Sequence, residues 1–239
     1  KAADEYYHQG SIWIEGRNGN SYTIDITNNT SQRALFIVSV DGLDVLKGKP
    51  AGPDSEGYVV DAKSTVSIPG WKLNEKEAAE FFFSRNDDSY VNSIGGSTAN
   101  TGVIGAMVFS ERAYHASAMS WNGYPAGYAS GAITANMVRS MKVSKSMLST
   151  SAAAIPLNAV SQDVGTGFGA ATNWSTTTTS FAKADPNNPD TIMAVYYNTA
   201  KNLEKMGIRL RRKRDVSYQA NPFPAYSSPG CKPPPGWNG

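Results

Sequence analysis

The feature that most limits what this chain can fold into is period-two alternation of apolar residues, broken by turn signals about every ten positions. Ile12 and Ile14 flank Trp13, and Tyr22, Ile24 and Ile26 then alternate up to the turn-forming Asn28-Asn29-Thr30. Arg33–Val40 (RALFIVSV) is a near-continuous apolar run, the pattern of a strand buried on both faces. It runs into Asp41-Gly42, a favoured two-residue hairpin turn, and returns through Leu43, Val45 and Leu46. Tyr58–Val60, Thr65–Ile68, Phe81–Phe83, Val103–Phe109 and Thr191–Tyr197 read as further strands. Pro69-Gly70 breaks one of them, and Trp71 comes next as a core anchor. A parallel α/β sheet needs crossover helices, and the spacing leaves no room for them. The expected fold is mainly β, an antiparallel β-sandwich of about 7–10 strands with one or two short helices.

Two helical signals accompany the strands. Asn74 with Glu77 three residues on is a capping-box pattern for one short turn. Asn198–Met206 reads as a short helix, with Lys205 in its last turn and Gly207 as its stop. Ser175–Phe181 is Thr-rich and strand-prone, and Asp185–Pro189 is turn chemistry.

Between Tyr114 and about Gln162 strand periodicity disappears, and Ala, Ser, Met, Asn and Gly dominate. Residues 131–149 fit one amphipathic helix, with Ile133, Met137 and Met141 on one stripe and Arg139, Lys142 and Lys145 on another. Such a helix suits a membrane surface or a partner's groove, or is a surface linker with helical tendency. After Leu210 comes a basic run, then a tail holding Pro222, Pro224, Pro229, Pro233, Pro234, Pro235 and Trp237, which is expected to run extended. The expected division is an N-terminal arm (1–10), one interrupted sandwich domain (11–113 and 164–210), an irregular or helical insertion (114–163) and a C-terminal tail (211–239).

Charge is distributed along this division. Residues 1–111 hold 9 basic and 15 acidic residues, a balance of −6. Residues 112–162 hold four basic residues and no acidic one, and residues 200–239 hold eight basic and two acidic. Such asymmetry marks segments that meet a differently charged partner, or solvates long polar arms. The sharpest local signal is Arg209, Arg211, Arg212, Lys213 and Arg214 around Leu210. It fits non-specific contact with nucleic-acid phosphates or an acidic partner, a localisation signal, a dibasic cleavage site before Asp215, or an edge strand guarded by charge.

Catalytic and cofactor chemistry finds little to build on. The only cysteine is Cys231 and the only histidines are His8 and His115, so neither a disulfide framework nor a Cys-based zinc site is expected. Gly165-Thr166-Gly167-Phe168-Gly169 lacks the Lys-Ser/Thr of a phosphate loop and is not followed by a helix pattern, so tight packing explains its glycines better. Glu75, Glu77, Glu80, Asp87 and Asp88 read as a solvated face. Trp13, Trp71, Trp121 and Trp174 suit a core or a sugar-stacking platform. Asn28, Asn29 and Asn173 fit the N-glycosylation pattern. No apolar run approaches the about 18 residues of a membrane-spanning helix. The chain begins at Lys1 with no apolar leader after it, which assigns no compartment. No catalytic residue, cofactor or metal ligand is assigned, and the expectation is a protein that is not an enzyme.

The stretches NSYTIDITNNTSQRALFIVSVDGLDVLKGKPAGPDSEGYVV, STVSIPGW, EAAEFFFS, DSY and NTGVIGAMVF, with the later GTGFG and YNTAKNLEKMGI, resemble a domain of uncharacterised proteins from proteobacteria and viruses. They cover residues 20–110 and about 164–208. The resemblance implies one interrupted domain and assigns no catalytic residue.

Segments with the composition of the arms become ordered when something holds them, and neighbouring subunits are the simplest holders. The expected function is therefore a structural virion protein, a minor or decorating capsid protein. Its arms, through Met137, Met141, Arg139, Lys142, Lys145, Pro233, Pro234, Pro235 and Trp237, contact other capsid subunits or further copies of the chain. The alternative is a bacterial surface or periplasmic binding module of unknown ligand, carbohydrate being one candidate.

Overall fold

The computed structural model describes residues 2–112 and 161–211, together with the backbone of 141–143. The strands of the first half are β1 (Glu5–His8), β2 (Ser11–Glu15), β3 (Ser21–Tyr22), β4 (Ile24–Thr27), β5 (Ala34–Val40), β6 (Leu43–Asp44) and β7 (Tyr58–Val60). Then come β8 (Thr65–Ile68), β9 (Gly70–Lys72), β10 (Glu77–Arg85), β11 (Val103–Ser110), β12 (Met141–Val143), β13 (Val164–Asn173) and β14 (Thr191–Asn198). Two short helices, α1 (Tyr90–Ser93) and α2 (Ala200–Lys205), complete the described elements with two 3-10 turns.

One layer is a seven-stranded sheet in the order β1-β2-β14-β11-β5-β6, with β7 also paired to β5. The second layer is built from two smaller sheets, β13-β10-β3 with β9 on β10, and β12-β4-β8. They run into one another because β3 and β4, and likewise β8 and β9, are successive parts of the same chain segments. The central core lies between the layers, with Ile14, Phe36, Val38, Ile104 and Tyr197 from one side and Ile24, Ile26, Ile68, Trp71 and Phe81 from the other. The expected mainly β, sandwich-like fold is what forms.

The alternation read from the sequence decides which side chains face which way. β5 is buried on both faces: Phe36 and Val38 enter the central core, while Leu35 and Ile37 pack outside with Phe109. On β2, Ile12 and Ile14 point inward and Trp13 outward, where Tyr6, Leu203 and Ile208 cover it. That outer cluster explains α2. Thr199 caps the helix by accepting from the Asn202 N–H, Leu203 is buried on Trp13, and Gly207 ends it at φ +87°. The Asp41-Gly42 turn has both residues at positive φ (52° and 81°), the two-residue hairpin geometry expected of that pair.

Five expectations change. Residues 5–8, set apart as an arm, pair with β2 through a Gln9-Gly10 turn. The Asn74…Glu77 pattern caps a hairpin turn between β9 and β10, not a helix: Asn74 accepts from the Lys76 N–H and donates to Glu77. The helix expected over 131–149 is overturned at 141–143, where the backbone is a strand opposite Ile24–Ile26; the rest of that stretch lies outside the described residues. Ser175–Phe181 forms no strand and is held, among the described residues, by hydrogen bonds near its two ends. β2 and β14 pair in parallel, Trp13 opposite Tyr196, without a crossover helix because the two strands come from opposite ends of the domain.

Asn28 is fully buried at the turn that leads into β5. Its Nδ2 donates to the Gln32 and Val60 carbonyls, and its Oδ1 accepts from the N–H and Oγ1 of Thr30. Asn28 is therefore closed to a glycan in the folded chain. Asn28→Ala takes a hydrogen-bond partner from the buried Val60 carbonyl and the buried Thr30 N–H and is expected to cost about 2–3 kcal/mol in urea unfolding; a change under about 0.5 kcal/mol would remove this turn from the fold's supports.

Candidate functional site

Beyond β13 the chain becomes a strap laid over the edge of the seven-stranded sheet. It is tied at its start by Trp174 N–H to the Lys76 carbonyl (2.8 Å), Thr176 N–H to Glu75 (2.9 Å) and the Trp174 indole N–H to Ser67 (2.9 Å). It is tied at its end by Arg112 N–H to the Ala182 carbonyl (2.7 Å), with Arg33 donating to Ser180 and Phe181 packed on the Leu35–Ile37–Phe109 cluster. Between these anchors Thr177, Thr178 and Thr179 make no described backbone hydrogen bond.

The strap and β7 enclose a groove of about 940 Å³, lined among others by Tyr58, Val59, Lys72, Trp174, Thr176 and Thr178. β7 pairs only with β5, so its other edge carries no strand among the described residues. Trp174 is half-buried and meets the Tyr58 ring edge-on, with centroids 5.6 Å apart. The buried hydroxyls of Tyr58 and Thr176 have no hydrogen-bond partner among the described residues. Burial, with Asp44 nearby, raises the Tyr58 hydroxyl pKa, so it stays a neutral donor. Of the charged lining residues, Arg33 pairs with Glu111 in a two-pronged contact and Lys47 with Glu56 at 3.2 Å, and Asp61, Lys72 and Glu75 complete the set. An aromatic pair, a row of Thr hydroxyls and an open strand edge suit an extended ligand better than a compact anion.

Of the basic run, Arg209 and Arg211 are exposed. They alternate with Ile208 and Leu210, which pack on the Tyr6–Trp13 cluster, and the Arg211 N–H donates to the Tyr6 hydroxyl at 3.0 Å. Residues 208–211 form no strand. Arg212, Lys213, Arg214, Met137, Arg139, Lys145, Pro233, Pro234, Pro235, Trp237, Trp121 and His115 lie outside the described residues, and of Met141 and Lys142 only the backbone is described. Tyr6 belongs to β1 and Tyr58 to β7, so the basic segment and the groove stand at opposite edges of one sheet.

Trp13 and Trp71 are core residues, 1% and 2% exposed, and belong to no sugar platform; Trp174 alone of the described tryptophans reaches a groove. Glu77 is bound to Asn74 and Asp88 to Arg85, both close in sequence. Gly165–Gly169 lies inside β13 instead of a loop. A Cβ at Gly167 would sit 2.2 Å from the Phe82 ring and one at Gly169 2.7 Å from the Glu80 carbonyl, so close packing accounts for these glycines.

One cluster escaped the sequence reading. The Asp41 carboxylate, 2% exposed, accepts from the Gly102 N–H (2.8 Å), the Thr166 N–H (2.8 Å) and the Tyr197 hydroxyl. Thr166 Oγ1 stands 2.8 Å from the Tyr197 hydroxyl and 2.7 Å from that of Tyr22. With Asp41 ionised, the hydroxyls align as Tyr22 to Thr166 to Tyr197 to Asp41, each donating toward the charge. Burial raises the Asp41 pKa to about 6 against the pull of these donors. In sequence Asp41 is an ordinary turn residue; its partners stand 61, 125 and 156 positions away. No spacing rule connects them. The cluster is sealed from solvent and braces the two layers, whereas the groove opens to the surface.

The chain matches no family model, no curated protein and no solved structure.

Proposed function

We propose that the chain is a structural assembly protein, a minor or decorating component of a virus shell. Its β-sandwich body sits on or in the lattice, and segments outside the body join it to neighbouring subunits. The observation that carries this reading is strand addition at β4. Residues 141–143, far in sequence from β4 and β8, close the edge of their sheet by pairing opposite Ile24–Ile26. A domain that accepts a three-residue strand from a long connection has the edge chemistry that lattice contacts use. The resemblance to a domain of bacterial and viral proteins and the basic, Pro-rich C-terminal segment point the same way. Exposed Arg209 and Arg211 begin a run suited to an acidic shell surface or to packaged nucleic acid.

The test is mass in solution against concentration, by sedimentation, for the full chain and for a chain lacking residues 212–239. Self-association that grows over the range of about 1–100 µM and vanishes with the tail is expected, since many weak contacts sum to a durable assembly. Matching thermal melts for the two chains would show that the body itself is intact. A full chain that stays monomeric throughout and behaves like the shortened one sinks the reading and favours a self-contained binding module.

A further inference from the structure

The groove between β7 and the strap stands opposite the edge from which the C-terminal tail departs. We infer that it is the receptor for the Pro-rich tail of a neighbouring copy, seating Pro233–Pro235 against Trp174 and Tyr58. The inference rests on the assembly reading and names the contact that would carry it.

Three observations support it. The lining matches the tail's chemistry: proline-rich segments are stiff and extended, and they dock on aromatic side chains with hydrogen-bond donors nearby. Here the aromatics are Trp174 and Tyr58, and the waiting polar groups are the hydroxyls of Tyr58 and Thr176, unpartnered among the described residues. Of the three cations that line the groove, Arg33 and Lys47 are held by Glu111 and Glu56, leaving Lys72 with the carboxylates Asp61 and Glu75 in the lining, so no strong excess of one sign demands an ionic ligand.

The second is placement. Arg211 is fixed at the β1 edge by Tyr6, and the groove lies beside β7, five strand spacings away, or about 24 Å. Copies set side by side in the same sense bring the tail edge of one against the groove edge of the next. That is a heterologous contact, which propagates as a ring or an open array. The third is reach: Pro233 is 22 residues beyond Arg211, a span of up to about 70 Å at polyproline rise.

Cys231 supplies the experiment, being the only cysteine of the chain and two residues from Pro233. A benzophenone maleimide is attached there on the full chain, labelled and unlabelled copies are mixed before irradiation, and crosslinked peptides are mapped by mass. The expected result is crosslinks between copies, concentrated on 57–59 and 174–179. Trp174→Ala is expected to lower their yield about tenfold or more, as loss of an aromatic anchor does. Thr178→Arg, which fills the groove from an exposed position and leaves the core untouched, should do the same. Crosslinks between copies that fall elsewhere overturn the groove as receptor and leave the assembly reading standing. Crosslinks confined to single copies overturn both.

Discussion

Asp41→Ala is expected to cost the fold about 4 kcal/mol or more. The substitution leaves three buried donors, the Gly102 and Thr166 N–H groups and the Tyr197 hydroxyl, without their acceptor. Each such loss costs about 1–3 kcal/mol. Position 41 also sits at φ +52°, a region that alanine occupies at a further cost of about 1–2 kcal/mol and that aspartate and asparagine tolerate better. Against a total stability of about 5–15 kcal/mol, this single change threatens folding outright. Urea unfolding measures it as a fall in midpoint at unchanged slope. An alanine variant within about 1 kcal/mol of the wild type would show that the two layers do not depend on the cluster.

Asp41→Asn separates charge from geometry. Asparagine keeps the turn conformation and one acceptor, but its amide must point N–H at the N–H of Gly102 or of Thr166, so about 2 kcal/mol of loss is expected. The pH dependence then isolates the charge. The pKa of Asp41 rises on folding, from 3.8 to about 6, chiefly because burial penalises the carboxylate. A folded state that holds its proton more tightly than the unfolded chain is favoured below pH 3.8, and the advantage fades as pH rises through 6. This group alone should therefore make wild-type stability fall by about 3 kcal/mol between roughly pH 4 and pH 7, a slope absent from the asparagine variant. Parallel pH profiles for the two proteins would contradict an Asp41 that titrates near 6.

Local chemistry decides which parts of the fold are legible in the sequence. The Asp41-Gly42 turn, the Thr199 cap and the Gly207 stop each depend on residues a few positions apart, and each forms where the residue types demand it. The doubly buried β5 comes from an apolar run too long for one face. Asn74 and Glu77 do hydrogen-bond, but side chain to side chain, and Asn74 Oδ1 accepts from the Lys76 N–H two residues on, as in an Asx-turn; they close a hairpin, because such local side-chain bonds leave the path of the next residues open to helix or strand. The strand at 141–143 exists because β4 offers an edge, a tertiary fact that outweighs the helical spacing of Met137 and Met141. The Thr run is strand-prone yet pairs with no edge among the described residues. Its β-branched residues find no ladder and instead wall the groove, so the candidate site arises where a strand signal goes unanswered.

Gly70→Ala carries the other large expected effect, and it tests how closely β9 must approach β10. Pro69-Gly70 looks in sequence like a strand breaker, but the chain pairs on both sides of it: Ile68 with Ile24 on one sheet, Gly70 with Glu80 on the other. A Cβ at position 70 would lie 1.9 Å from the Ala79 carbonyl oxygen, a backbone atom that no rotamer change can move. β9 would have to leave β10, and Trp71, 2% exposed and packed edge-on against Phe81, would leave the core with it. A cost of about 3 kcal/mol or more is expected, the upper range for overpacking. Gly52→Ala is the matched control, with nothing within 4 Å of its Cβ and no left-handed φ. Alanine there restricts the unfolded chain and should be neutral or stabilising by up to about 1 kcal/mol. Thermal or urea unfolding of the two variants decides the matter. If both lose about the same stability, backbone entropy explains position 70 and the close approach of β9 to β10 does not; if only Gly70→Ala collapses, the junction between the two small sheets depends on that missing side chain.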